Sequence, residues 1–191
     1  MKEQPEPRAA NPTTLALDPA QMEQLLEALP TFSREHEGWY KGIDVDRTVR
    51  FFLYTGAHPS VLSNPVRWDL RVGKSLMGSA GMRPTITWTR PKNKRQMVLP
   101  IWKEAPWLPE FVNAHTPRST KTYERLFAEV GQHAKLPGIS PRTARHTFIG
   151  WLFWGQRLTV PQVTLYAGCT SRIAMAYAAR FTHSGIEHLI A

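Results

Sequence analysis

Apolar residues along this chain change period twice, and that change limits the folds open to it. Met22, Leu25, Leu26 and Leu29 fall on one helical face, as do Val49, Phe52 and Leu53 further on. Between Pro65 and Ile101 the pattern breaks into short runs around Val72, Ile86, Trp88, Val98 and Leu99, separated by Gly-, Pro- and Lys-rich turns. From Ser119 the helical period returns, with Tyr123, Leu126, Phe127 and Val130 forming a stripe. The order is helix, helix, small sheet, then several helices, which predicts a mainly α domain with a minor antiparallel sheet.

The helix boundaries carry their own chemistry. Asp18 with Pro19 and Gln21 makes a capping box, and Pro30 is expected to stop that first helix. A second helix runs from about Asp46 to Gly56. The segments TITWTR and QMVLPI, joined by PKNKR, predict a β-hairpin with a positively charged turn. Ser140 and Pro141 open a helix whose first turns carry Arg142, Arg145 and His146. Thr159 and Gln162 start another, ending near Gly168, and a last pair of short helices is expected to hold Tyr177 and Ile186 to Ile190. Residues 1–14 are polar, Pro-rich and aperiodic, so a flexible segment is expected there, followed by one domain over 15–191.

At 191 residues the chain can bury one substantial core. Twenty-four Lys and Arg stand against 15 Asp and Glu, a net charge of +9, which favours a polyanionic partner, nucleic acid before a membrane surface. The single cysteine, Cys169, excludes an internal disulfide framework and a Cys-rich zinc site. His115, His133, His183 and His188 show no metal-ligand spacing, so no metal is expected. No signal pattern opens the chain, and the most apolar run, Phe148 to Trp154, is far too short to cross a bilayer. An intracellular protein without a membrane partner is expected.

Breaking and rejoining DNA without a metal requires a nucleophile, arginines for the non-bridging oxygens, a proton donor for the departing oxygen and a base. ISPRTARHTF followed by YAGCTSRIAMAYA resembles the C-terminal signature of the tyrosine recombinase (phage-type integrase) family. That signature is His, Lys or Arg, two residues, Arg-His-Thr, then Leu-Gly-His or Gly-Trp, and later the nucleophilic Tyr. FFLYTGAHPSVL is similar to the family's helix ending in Thr-Gly-x-Arg, PKNKRQMVLPI to its lysine-bearing β-turn, and LALDPAQMEQLLEALP to the start of its catalytic domain. The resemblance covers nearly the whole chain from about Leu15, and it rests on four motifs in the right order.

The resemblance implies Tyr177 as nucleophile, Arg145 as the second catalytic arginine, Arg142 at the variable position before it, and Lys92 as acid to the leaving oxygen, with Lys94 as its substitute. His58 stands where the family has its first arginine, and Cys169 at the His/Trp position, about one residue closer to the tyrosine than usual. Arg90, Lys94, Arg95, His146 and Arg172 are expected to touch DNA. The resemblance further implies a 3′-phosphotyrosyl intermediate, no cofactor, a double-stranded DNA partner, and a dimer or tetramer on DNA, with Ile186 to Ile190 packing against a neighbour. The family usually carries an additional N-terminal DNA-binding domain. Without it the chain is expected to be a fragment or a minimal version whose weak affinity falls steeply with salt.

Two other readings share these residues. One is a recombinase-like DNA-binding protein that no longer cleaves, favoured by His58 and Cys169. The other is a type IB topoisomerase-like nicking and closing enzyme. A neutral imidazole cannot fork two donors onto a phosphate as guanidinium does, but a protonated His58 supplies part of that charge. His58→Arg is therefore expected to raise cleavage. Unchanged activity would mean that another basic residue, Arg83 or Arg67, fills the role.

Overall fold

The computed structural model describes residues 15–76, 82–91 and 94–186. Asp18 accepts from the Gln21 backbone N–H at 2.8 Å while the Gln21 side chain accepts from the Asp18 N–H at 3.1 Å, so α1 (Pro19–Glu35) starts at the expected capping box. It does not stop at Pro30, which lies inside the helix. A proline there leaves the Leu26 carbonyl without its backbone donor. Arg50 Nη2 supplies a substitute at 3.3 Å, and Leu29 and Phe32, on either side of the proline, are both buried. Burial of that face outweighs the missing bond.

Asp44 caps α2 (Val45–Thr55), which ends at Gly56 in the left-handed conformation, φ 58°. The short α3 (Pro59–Ser63) follows, then three antiparallel strands in the order β1 (Arg71–Leu76), β2 (Met82–Thr89), β3 (Gln96–Pro100). Ile86 faces Leu99 and Trp88 faces Met97 across the β2–β3 pair, and all four side chains are buried. The alternation seen in the sequence therefore sets the strand register. After the sheet come α4 (Leu108–Ala114), α5 (Thr120–His133), α6 (Pro141–Trp154), α7 (Val160–Ala167) and α8 (Ser171–Ile186). The last holds Tyr177, as expected, and runs unbroken to Ile186. Residues 187–190 lie outside the described residues.

Helix α6 organises the core. It packs against α2 on one side and α8 on another, and Phe148, Trp151 and Leu152 are each nearly or fully buried. Its approach to α8 is so close that a Cβ on Gly150 would lie 2.5 Å from Phe181. Thr147 Oγ1 accepts from the Leu17 N–H at 3.0 Å, fastening the segment before α1 to the same helix. Trp102 donates to the Tyr54 carbonyl at 3.0 Å and meets Trp151 edge-on, joining the sheet's exit to α2 and α6. No helix among the described residues is long and apolar enough to cross a membrane.

Pro30→Ala is expected to raise unfolding free energy by about 1–2 kcal/mol, the helix-interior cost of proline less its effect on the unfolded chain. Urea denaturation reads this directly. In that background Arg50→Ala should cost less than in the wild type, because residue 30 then donates to Leu26.

Candidate active site

Ser140 and Thr143 form a reciprocal capping box at the start of α6. The next two turns place Arg142, Arg145 and His146 on one face, at spacings of three and four. Arg142 is exposed, while Arg145 and His146 are half-buried.

Arg145 is held by two helix ends. Its Nη1 donates to the Gly56 carbonyl at 2.7 Å and its Nη2 to the Ala167 carbonyl at 2.9 Å. Gly56 and Gly168 are the left-handed C-caps of α2 and α7. A side chain fits at neither glycine: a Cβ on Gly56 would lie 2.4 Å from Phe148, and one on Gly168 2.8 Å from Met97. Carbonyls at helix C-termini carry partial negative charge, so they orient the guanidinium without neutralising it. The two bonds engage two of its five N–H donors. No carboxylate of the described residues forms an ion pair with Arg145.

Tyr177, on α8, is fully buried, and its hydroxyl is hydrogen-bonded to His146 Nδ1, with the two rings stacked at 6.0 Å. Burial foremost, then the Cys169 thiol, pushes the phenol up to about 12, against the opposing pull of Arg145, Arg180 and Arg142. The His146 imidazole is lowered, by burial and then by Arg142 and Arg145. Both groups are therefore neutral at pH 7, and in the Nε2–H tautomer of His146 the phenol O–H donates to Nδ1. His146, expected to touch DNA, is half-buried and lies against the tyrosine hydroxyl.

The charged hairpin reaches the same place. Arg90 Nη2 would stand 3.3 Å from a Cβ on Gly168, and both Arg90 and Cys169 act electrostatically on Arg145. The backbone N–H of Arg90 donates to the Arg95 carbonyl, and that of Lys94 donates to the Arg90 carbonyl, each at 2.9 Å. Lys94, Arg95 and Arg172 are exposed. Lys92 lies outside the described residues. Cys169 is half-buried, and burial raises its thiol pKa, so it contributes no charge at neutral pH.

His58 caps α3, its Nδ1 accepting from the Ser60 N–H at 3.2 Å. With Arg142, Arg145 and Glu124 it lines a cavity of about 460 Å³. Its ring is partly open to solvent, but desolvation by its neighbours, and then Arg145, lower its pKa despite Glu124. At neutral pH His58 is therefore an uncharged imidazole, and protonation that would let it supply charge belongs to acidic pH. Sequence reasoning missed Glu124, Arg180 and the two anchoring carbonyls. Of these only the Gly56 turn left a readable signal, through its glycine at a helix end.

A buried phenol has a spectroscopic consequence. Near pH 10, where a free tyrosine is about half ionised, wild type minus Tyr177→Phe should show no phenolate absorbance. A band there would mean a hydroxyl open to solvent. Because the folded pKa lies above the unfolded one, Tyr177 favours the folded state below about pH 10. That contribution is lost as pH rises through about 12.

No protein-family model matches the chain, and no curated protein matches it by sequence. Solved structures do. The XerH site-specific recombinase bound to palindromic difH substrate, in a post-cleavage complex, superposes with a TM-score of 0.63 at 13% identity, over 91% of this chain and 52% of that one. XerH bound to difH in a pre-cleavage complex gives 0.59 and 13%, over 86% and 50%, and XerA recombinase 0.56 and 15%, over 85% and 59%. The chain thus spans about half the length of these recombinases. Among the described residues, eight helices and a three-stranded antiparallel sheet thus give this chain a tyrosine recombinase catalytic-domain-like fold.

Proposed function

We propose that the chain binds duplex DNA and cleaves and rejoins its strands through a covalent ester on Tyr177. The observation that carries this reading is the Tyr177 hydroxyl bonded to His146, the residue next to Arg145, a cation without a described carboxylate partner. Arg145 holds the scissile phosphate with its unengaged N–H groups, and Arg142 and Arg90 add charge beside it. The Tyr177 oxygen attacks phosphorus, the P–O5′ bond breaks, and the departing oxygen takes a proton, with Lys92 of the hairpin turn as the proposed donor. The 3′-phosphotyrosyl ester keeps the bond energy, so attack by a 5′-hydroxyl restores the strand without a nucleotide cofactor. Copies of the chain assemble as dimers or tetramers on DNA to exchange strands.

The covered hydroxyl adds a step. In the DNA-free chain Tyr177 is buried, so its cover must open towards the phosphate before attack. A second reading is favoured by the uncharged His58: the chain binds DNA and no longer cuts it.

Nicked duplexes of random sequence, which trap the covalent state by loss of the short product, separate the two. A detergent-stable protein–DNA adduct is expected, absent in Tyr177→Phe, and slowed in Arg145→Ala by about 10²–10³. DNA binding without an adduct at any pH would establish the non-cleaving reading.

A further inference from the structure

Cleavage, on the reading just proposed, needs a group to take the phenolic proton, and the resemblance places Arg142 at the position that precedes Arg145. A guanidinium has no lone pair to offer and stays protonated throughout the working range. We infer that His146 is the base: its Nδ1, hydrogen-bonded to the Tyr177 hydroxyl, accepts the proton as the tyrosine oxygen attacks phosphorus.

Three observations carry this assignment. The contact already exists, with the imidazole stacked on the phenol at 18° between ring planes, and in the Nε2–H tautomer Nδ1 faces the hydroxyl as its acceptor. His146 directly follows Arg145, so one turn of α6 holds both the phosphate's anchor and the base. Among the described residues, cations and a neutral thiol are set around the pair. Arg142 and Arg145 on α6 and Arg180 on α8 are cations, and the Cys169 thiol between α7 and α8 is uncharged. These surroundings also keep His146 unprotonated and ready to accept.

The balance is simple. The O–H bond breaks, its electron pair forms the O–P bond, and the proton moves to Nδ1. During rejoining the same nitrogen returns that proton to the leaving tyrosine oxygen, and the site is reset.

The test is single-turnover adduct formation on the nicked duplexes, with His146→Ala and His146→Gln beside the wild type. Each variant is compared on an ordinary 5′ oxygen and on a 5′-bridging sulfur, which departs without a proton. Loss of a base should slow both substrates by about 10²–10⁴, with the acidic limb of the pH profile lost and the alanine variant partly restored by added imidazole. Nitrogen NMR of the free protein should show Nδ1 of His146 without a bound proton. Wild-type rates in both variants would overturn the assignment, and so would full rescue by sulfur, which marks a donor to the leaving group. Unchanged melting and DNA affinity in His146→Gln would set a structural role aside. Absence of any wild-type adduct sinks the cleavage reading itself, whereas a wild-type adduct with undiminished variants sinks only the base.

Discussion

The guanidinium of Arg145, stretched between the ends of α2 and α7, is the joint on which the site depends. Neither helix end is free to move. Gly56 is pressed under Phe148 and Gly168 under Met97, so the first acceptor is referred to the core and the second to the sheet. A long flexible side chain is thereby held in one geometry before any ligand arrives. Preorganisation of this kind is what makes a buried cation useful toward a developing anion, since little reorganisation remains to be done.

Electrostatics around that joint are one-sided. Arg90, Arg142 and Arg145 act on one small region, and the groups between them that titrate near neutrality, His58 and His146, are driven to their uncharged forms by burial and by those same arginines. A cation-rich cleft therefore suppresses further positive charge and leaves imidazoles that accept protons rather than carry them. An imidazole in this setting is a poor cation and a good hydrogen-bond acceptor for a phenol.

Much of this fold was legible beforehand. Caps at Asp18, Ser140 and Thr159 are short-range chemistry, and the alternation through Ile86, Trp88, Met97 and Leu99 fixes a two-strand register without help from elsewhere. Pro30 misled because its missing bond to Leu26 is supplied by Arg50, 24 residues from Leu26 and on another helix. The site divides the same way. Arg145 and Tyr177 were readable as residue types in order, whereas the partners that define them are a backbone carbonyl 89 residues distant and an imidazole 31 residues distant. Long-range contacts of that kind leave no periodic trace.

The Ala167 carbonyl has a double position: it accepts from Arg145 and stands just before the turn from which the tyrosine's helix departs. One backbone atom thus serves as a shared mechanical reference: any shift at the end of α7 carries the anchor of the guanidinium and the start of α8 together, so the cation and the tyrosine's helix keep their register.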